Sequence, residues 1–207
     1  MTASAARKTK RLTIINPMKR ILSTLLISIA FFTSCERQSV TGANEPGSES
    51  SAPQVVGCPL DGIRNVHQLD DIYLAGQPSE EGLQTAKAED IRTVVSLRHA
   101  NEMTDFDEPK AVEEAGLTYV HLPWNGEGEL TDNVFQKARE LFAWAERPML
   151  MHCGSANRVG ALWVPWRVLD GNIGLEDVMA EAKIIGLKST AYEQKAREYI
   201  SRTQPTP

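Results

Sequence analysis

The segment 148–158, with the sequence PMLMHCGSANR, decides the fold of this chain. It begins with a short apolar run, which is typical of a buried strand, and a helical pattern follows from residue 159. Between them lie Cys153 and Arg158, separated by four residues. The N–H groups of such a loop can converge on one anion, and the dipole of the following helix adds positive potential. The segment therefore predicts a strand–loop–helix unit with a thiol beside an anion-binding loop.

The residue types in this loop suit nucleophilic chemistry at a phosphate or a similar anion. Positive local potential stabilises the thiolate of Cys153, which is the nucleophilic form of cysteine. The planar fork of Arg158 matches two oxygens of a phosphate. The predicted anion-binding loop consists of His152, Gly154, Ser155, Ala156 and Asn157. A buried structural cysteine beside a surface arginine is the alternative interpretation.

Short apolar segments alternate with helical patterns along the chain. Strands are predicted at 72–74, 93–97, 118–122 and 149–152. Helices are predicted at 79–88, 109–116, 131–145, 159–169, 175–185 and 192–201, and Pro165 should kink or split the fourth. The alternation predicts an α/β domain: a three-layer fold with a central, mostly parallel sheet of about four to five strands and helices on both faces. Sites in such folds lie at the carboxyl ends of strands, where Cys153, Arg98 and the 123–130 loop are expected.

Several motifs together resemble one known family. The His-Cys-loop-Arg unit is similar to the cysteine-dependent phosphatases, whose usual loop has five residues between Cys and Arg. A spacing of four is typical of the bacterial beta-lactamase hydrolase-like protein phosphatases, which are related to dual-specificity phosphatases, and it also occurs in rhodanese sulfurtransferases. Further segments favour the former family, namely 71–79 (DIYLAGQPS), 91–98 (IRTVVSLR), 116–123 (GLTYVHLP) and 160–163 (GALW).

The resemblance implies hydrolysis of a phosphorylated small molecule or protein through a phosphocysteine on Cys153. His152 would then position the loop and favour the thiolate, while Arg158 and the loop amides would hold the phosphate oxygens. Relatives carry an Asp as general acid roughly thirty residues before the Cys. This chain has no Asp there, so Glu127 is the first candidate and Glu129 the second, with ordinary loop charges as the alternative. Val159 is another departure, because many relatives place a hydroxyl there.

Two other classes of protein fit the same loop. A rhodanese-like sulfurtransferase would carry a persulfide on Cys153, although the upstream segments argue against it. A catalytically inactive phosphatase-fold module would bind an anion or a protein partner in the cleft, as the missing Asp and Val159 favour. No metal or other cofactor is predicted, because the histidines at positions 67, 99, 121 and 152 are scattered singly and no metal-ligand cluster occurs.

The charge and the leader suggest where the chain works. Residues 1–34 carry six of the 22 basic side chains and no acidic ones, so the rest, with all 27 acidic residues, has a net charge of about −11. Such a body repels nucleic-acid phosphates, so no nucleic-acid partner is expected. Residues 1–34 are predicted to be a signal peptide, with Met18 as an alternative start, because the apolar core at 21–32 is too short to span a bilayer.

The small residues before Cys35 resemble a bacterial lipoprotein signal, in which this cysteine becomes lipidated. A plain secretory signal or a short membrane anchor is the alternative. Residues 35–57 are predicted to be the lipidated cysteine and a flexible tether, 58–203 the phosphatase-like domain and 204–207 a tail. The protein is then expected to be lipid-anchored in the bacterial cell envelope and to face the periplasm.

Four other positions are open to more than one interpretation. Cys58 is expected to be a small packed residue, with a disulfide to Cys153 as the alternative in an oxidising periplasm. Trp163 and Trp166 are expected in the core or the cleft wall. Arg98 is expected to pair with Glu102 or, alternatively, to contact a second anion.

Overall fold

The computed structural model describes residues 54–103 and 105–204. The predicted signal peptide, the lipidated Cys35, most of the predicted tether and the last three residues of the predicted tail lie outside the described residues. Within the part of the chain that is described, no helix has both the length and the apolar character needed to cross a membrane.

Six strands form a mixed sheet at the centre of the domain. They are β1 Val56–Gly57, β2 His67–Leu69, β3 Ile72–Ala75, β4 Thr93–Ser96, β5 Thr118–His121 and β6 Met149–His152. Their order across the sheet is β1-β2-β3-β6-β4-β5. Strands β3, β6, β4 and β5 run parallel, whereas β1 and β2 pair antiparallel. The prediction of a mostly parallel sheet in an α/β fold is therefore confirmed, with two additional strands at one edge.

The two additional strands correct one predicted boundary. The tether was expected to extend to residue 57, but Val56 already pairs with Gln68 in the sheet, and Val55 is buried in the core. Pairing with β2 gives this short segment hydrogen-bond partners, and Val55 gives it an apolar anchor. Ordered structure therefore begins before the predicted domain boundary.

Helices cover both faces of the sheet. They are α1 Glu80–Ala88, α2 Glu108–Glu114, α3 Asp132–Trp144, α4 Asn157–Leu169, α5 Leu175–Ile185 and α6 Thr190–Thr203. Successive β6 side chains alternate between two apolar clusters. Met149 and Met151 pack with residues of α3 to α6, whereas Leu150 packs with residues of α1 and α2. This arrangement confirms the three predicted layers.

Helix α4 is the central helix of the thicker layer. Ten of its 13 residues are buried, including Trp163. The helix is continuous through Pro165, so the predicted split does not occur. A proline removes one helical hydrogen bond. Burial of nearly the whole helix surface supplies apolar stabilisation before and after Pro165, which offsets the cost of that lost bond.

The strand register aligns the carboxyl ends of the central strands. Ala75 of β3 and Ser96 of β4 both pair with His152 of β6, and Ser96 also pairs with His121 of β5. The segments that leave these four residues therefore emerge side by side at one edge of the sheet. Cys153 is the first residue beyond the central strand β6, so it lies in the middle of this edge.

Candidate active site

The loop from Cys153 to Arg158 joins β6 to α4, as predicted. The Cys153 N–H donates to the carbonyl of Ala75 at 3.3 Å, which fixes the start of the loop against β3. Ala156 is the N-cap residue of α4 and adopts a left-handed conformation with φ of 67°. Its side chain has no oxygen, so the N-cap position provides no side-chain hydrogen bond. The first N–H groups of α4 are therefore available to an anion.

One carbonyl of the loop is hydrogen-bonded, whereas two of its N–H groups are not. The Gly154 carbonyl accepts from Arg64 Nη2 at 2.9 Å and from the Gln77 N–H at 3.4 Å. Within residues 54–103 and 105–204, the N–H groups of Gly154 and Ser155 have no hydrogen-bond acceptor. A paired Gly154 carbonyl and two unpaired amides give the loop the polarity of an anion site.

Arg158 is held by one edge of its guanidinium. Its Nη1 donates to the carbonyls of Leu97 and Trp124 at 2.9 and 2.7 Å. Glu102 accepts from both Nη1 and Nη2, at 2.8 and 2.6 Å. On the Nε–Nη2 edge, Nε donates to no oxygen of the described residues, and Nη2 keeps the hydrogen that Glu102 does not use. It is the edge that remains for two oxygens of an anion.

Arg158 also interacts with the thiol. Burial on its own lowers the pKa of Arg158, but Glu102 and Cys153 outweigh burial and raise it. Cys153 is one of the groups that raise this pKa, so its side chain lies close to the guanidinium. Cys153 is buried and is a free thiol. The alternative disulfide between Cys153 and Cys58 is therefore not formed, and Cys58 is itself fully buried.

Glu102 contacts Arg158, although it was expected to pair with Arg98. The Arg98 Nε lies 4.0 Å from Glu102 Oε2, so the expected ion pair is present but long. Arg98 instead donates to the Glu102 backbone carbonyl and, at 2.6 Å, to Gln77 Oε1. The Glu102 carboxylate is directed at Arg158. The spacing of four residues between Arg98 and Glu102 concealed a contact with a residue 56 positions away.

His152 faces the layer formed by α1 and α2. Its Nε2 lies 2.9 Å from Glu108 Oε1, and both side chains are fully or almost fully buried. The contact lies within hydrogen-bonding distance but is not well aligned, because neither ring nitrogen meets the angular requirements of a hydrogen bond to the described residues. Glu108 also accepts from Gln77 Nε2 and Ser96 Oγ, each at 3.0 Å. Nothing in the local sequence marks Glu108 as part of the site.

The predicted acid loop, residues 123–130, leaves β5 beside Arg158. Glu129 Oε2 lies 2.7 Å from His99 Nε2 and accepts from the Asn125 N–H at 2.7 Å. The contact with His99, followed by that with Asn125, lowers the pKa of Glu129. Glu127 is exposed and forms no hydrogen bond or ion pair with the described residues. The two candidate acids thus differ: contacts with His99 and Asn125 favour the carboxylate form of Glu129, whereas Glu127 has no such contacts among the described residues.

The other predicted loop residues are placed as follows. Ser155 is exposed at the loop surface, and Val159 is fully buried. Asn157 contributes to the loop only through its backbone, because its Oδ1 accepts from the N–H groups of Lys188 and Ser189 at 2.7 and 3.1 Å. A short polar side chain at a helix start finds nearby backbone donors, here in the segment before α6.

A cavity of about 450 Å³ adjoins the loop and could hold the remainder of a bound molecule. Its lining includes Arg64 and Gln77, which contact the Gly154 carbonyl of the loop. Arg98 and the apolar side chains of Met103 and Phe106 also line it. Among the described residues, no group of three or more His, Cys, Asp or Glu side chains could hold a metal ion. The groups at this edge of the sheet that could take part in a reaction include a thiol, an arginine fork, backbone amides and loop carboxylates.

A thiol and an arginine at the two ends of a loop between the central strand and a helix, on a largely parallel sheet, define the cysteine-phosphatase-like class of fold. Residues 64–168 match the family described as beta-lactamase hydrolase-like protein, phosphatase-like domain. The chain belongs to this family.

One relative is a beta-lactamase hydrolase-like protein from Xylella fastidiosa (strain 9a5c). It is 26% identical to this chain over 122 residues, which make up 57% of this chain and 28% of the relative. This chain therefore corresponds to little more than a quarter of that relative.

Two solved structures are similar in fold. The complex of P. aeruginosa TpbA with pTyr has a TM-score of 0.57 at 19% identity, over 73% of this chain and 91% of TpbA. The core catalytic domain of a PP-IP phosphatase from S. cerevisiae, in complex with citrate, has a TM-score of 0.57 at 18% identity. That match covers 68% of this chain and 88% of the yeast domain. At these identities the similarity establishes the fold.

Proposed function

We propose that this chain hydrolyses phosphate monoesters through a phosphocysteine intermediate. The observation that carries the proposal is the placement of Cys153 and Arg158 at opposite ends of one loop, close to each other beside an uncapped helix N-terminus. The family match and the phosphatases of similar fold support it. The substrate is a phosphorylated small molecule or protein, and the reaction needs no cofactor.

The first step transfers the phosphoryl group to sulfur. The Cys153 thiolate attacks phosphorus, the S–P bond forms, and the bond to the leaving oxygen breaks with its electron pair. The Nε–Nη2 edge of Arg158 and the amides of Gly154 and Ser155 hold the phosphoryl oxygens as their charge redistributes. Glu102 keeps the arginine fork oriented throughout this step.

The leaving oxygen must gain a proton unless it is already a good leaving group. We assign this proton to Glu127, because it lies on the loop beside Arg158 and its carboxyl is not held by another described residue. Glu129 is the second candidate, although its contacts with His99 and Asn125 favour the carboxylate form. Its lowered pKa makes it a poorer acid at neutral pH.

The second step returns the free enzyme. A water molecule attacks phosphorus, the S–P bond breaks, and inorganic phosphate and the Cys153 thiolate are released. The acid of the first step takes the proton from this water. Val159 offers no hydroxyl to the departing sulfur, so this second step is expected to be slow. The same departure favours the alternative that the domain binds an anion without turning it over.

The test compares the full chain with two variants on p-nitrophenyl phosphate. Cys153→Ser should remove turnover without changing the circular dichroism spectrum. Arg158→Lys should lose most of the activity, because an ammonium cannot present two donors in a plane. Parallel incubation with thiosulfate and cyanide tests sulfur transfer. A sulfur adduct on Cys153 with thiosulfate alone, which cyanide removes as thiocyanate, would support the sulfurtransferase alternative if no phosphate is hydrolysed. The absence of both reactions would support the inactive binding module.

We further propose that the domain works at the bacterial cell envelope, tethered to the membrane through lipid on Cys35 and facing the periplasm. The support comes from the sequence of the leader, in which a short apolar core ends in small residues followed by Cys35. A lipid anchor with a flexible tether would hold the phosphatase-like domain near the membrane surface while leaving its site open to solvent.

A further inference from the structure

A buried carboxylate lies behind the nucleophile, on the side of the sheet covered by α1 and α2. The Glu108 side chain is 1% exposed and the His152 side chain 0% exposed, with Glu108 Oε1 and His152 Nε2 2.9 Å apart. His152 directly precedes Cys153 in the chain. The hydrolysis steps proposed for this site give Glu108 no role. Burial of a carboxylate lowers the stability of a fold unless the carboxylate is paired and hydrogen-bonded.

The surroundings of Glu108 favour its ionised form. Ser96 Oγ and Gln77 Nε2 each donate to it at 3.0 Å. Burial on its own raises the pKa of the Glu108 carboxyl, but the contacts with His152, Gln77 and Ser96 outweigh burial, and the pKa lies below its ordinary value. A buried anion of this kind requires a cation close by.

His152 is the side chain that can supply a positive charge next to the Glu108 carboxylate. The arginines of the site are directed elsewhere: Arg98 donates to Gln77 Oε1 and the Glu102 carbonyl, and Arg158 pairs with the Glu102 carboxylate. His152 contacts the Glu108 carboxylate directly. A proton on the imidazole gives the buried pair a net charge of zero.

We infer that Glu108 is a positioning residue that holds His152 as the imidazolium, and that this charge favours the thiolate of Cys153. The inference deepens the proposed phosphatase function and rests on it for its catalytic consequence. Thiolate formation itself can be measured without turnover. The negative charge of Glu108 therefore acts on the nucleophile through the residue beside it.

Few other groups near this pair titrate close to neutral pH. Tyr119 of β5 faces Glu108, and burial followed by the charges of Glu108 and Asp107 raises the pKa of Tyr119. Asp107, the N-cap residue of α2, is exposed. Arg98 and Arg158 are the nearby basic side chains, and they contact Gln77 and Glu102 respectively. The ring of His99 contacts Glu129 rather than Glu108.

The test titrates the thiolate directly. The ultraviolet absorbance of the full chain near 240 nm is followed against pH and referenced to the matching Cys153→Ser protein, so that the absorbance of all other groups cancels. Glu108→Gln should move the midpoint upward by about one pH unit or more, which is a tenfold smaller thiolate fraction on the rising limb. Glu113→Gln is the matched control on the exposed side of α2 and should leave the midpoint unchanged. A folded Glu108→Gln protein with the wild-type midpoint would overturn the inference.

The route through His152 is tested in the same way. His152→Asn should raise the midpoint, and adding Glu108→Gln to it should cause no further change. A full additional shift in the double variant would show that Glu108 acts on Cys153 without His152, and would overturn the proposed route.

A measurement on the unmodified protein covers the case in which Glu108→Gln does not fold. In protein with ¹⁵N-labelled histidine, assigned with His152→Asn, both ring nitrogens of His152 should be protonated at pH 7. A neutral His152 ring at that pH would contradict the inference. The proposed function is judged separately: a shifted thiolate midpoint in a protein without phosphate hydrolysis supports the role of Glu108 and refutes the hydrolase.

Discussion

Arg158 illustrates how a single residue serves both the fold and the proposed chemistry. Its Nη1 holds together the ends of β4 and β5 through the carbonyls of Leu97 and Trp124, and the Glu102 carboxylate fixes the plane of its guanidinium. The Nε–Nη2 edge is then oriented before an anion arrives. An arginine that is already oriented loses less entropy on binding than a free one.

The first residue-level prediction concerns Glu102→Gln. The amide keeps the size of the side chain but removes the charge-assisted pair, so Arg158 becomes less well oriented. Losing a contact of this kind costs about 1.5–3 kcal/mol, which corresponds to at least a tenfold fall in kcat/KM for p-nitrophenyl phosphate. Steady-state kinetics would measure this change. Glu113→Gln, a change at an exposed residue of α2, should leave the rate unaltered.

The same variant should change the acid stability of the domain. The hydrogen bond from Arg158 is the largest cause that lowers the pKa of Glu102 in the folded state. A lowered folded pKa stabilises the fold above the ordinary pKa of the carboxyl, 4.5, and this stabilisation is lost as the pH falls through the lower folded value. Urea unfolding between pH 6 and pH 3 should therefore show a smaller loss of stability in Glu102→Gln than in the wild type. Parallel curves for the two proteins would contradict the role of this ion pair.

The second residue-level prediction identifies the proton donor. Glu127→Gln should slow hydrolysis of a phenyl phosphate with a poor leaving group more than that of p-nitrophenyl phosphate, because the latter leaves without protonation. A loss of roughly tenfold or more is typical for removal of a general acid. Glu129→Gln is the matched comparison on the same loop. A selective loss in Glu129→Gln alone would transfer the role to Glu129.

Part of this site follows from local sequence and part does not. The Cys153–Arg158 loop can be predicted, because strand, loop and helix are contiguous. Glu102 and Glu108 could not be, since their partners lie 56 and 44 positions away and are brought near only by the placement of β6 between β3 and β4. Arg64 was missed for the same reason: its contact with the Gly154 carbonyl joins residues 90 positions apart.

At the scale of elements, α4 determines how well the loop is held. Its N-terminal residue Asn157 accepts from the N–H groups of Lys188 and Ser189, which ties the start of α4 to the segment before α6. The loop that precedes α4 is thereby fixed at both ends, by β3 on one side and by this segment on the other.

An element-level prediction follows for Asn157. Asn157→Ala leaves two backbone donors without their acceptor and should lower the free energy of unfolding by about 1–3 kcal/mol. Urea denaturation would measure the loss. Asn157→Asp is the control, because it keeps the accepting oxygen and should preserve stability. Its added negative charge beside the anion loop should instead raise KM for aryl phosphates. Equal stability of the alanine variant and the wild type would contradict this account.

Most helices and strands could be predicted from the sequence; the exceptions are the strands β1 and β2 and the continuity of α4. The four parallel strands have short apolar or β-branched sequences between capped helices, so the pattern is clear. Strands β1 and β2 are two and three residues long, and β2 reads His-Gln-Leu, which carries no apolar alternation. The continuity of α4 through Pro165 depends on burial from several neighbouring helices, which a local rule on proline does not include.

At the scale of the whole molecule, the net negative charge of the protein repels the proposed substrate, which is also negatively charged. The chain after residue 34 has a net charge of about −11, yet Arg64, Arg98 and Arg158 gather at one edge of the sheet. The overall field repels a phosphorylated substrate at long range, while the local cluster attracts it at short range. Weak affinity for small phosphate esters is therefore expected.

The whole-molecule prediction concerns the proposed lipid anchor. In bacteria that produce the full chain, labelled palmitate should enter the wild-type protein, and Cys35→Ala should abolish the labelling. The Cys153→Ser protein is the matched cysteine control and should be labelled as the wild type is. Equal labelling of Cys35→Ala and wild type would refute lipidation at this residue.

The tryptophans give the molecule an optical reporter of its own site. Trp144 is 86% exposed on α3, whereas Trp124 is fully buried with its ring edge against Tyr192. Iodide in solution reaches the exposed indole and quenches its fluorescence, so the remaining emission comes from the interior. Because the Trp124 carbonyl holds Arg158, an anion that draws on this guanidinium alters the surroundings of the shielded indole. Binding of an anion to the loop can thereby be measured as a shift of the tryptophan emission spectrum, without a chromogenic substrate.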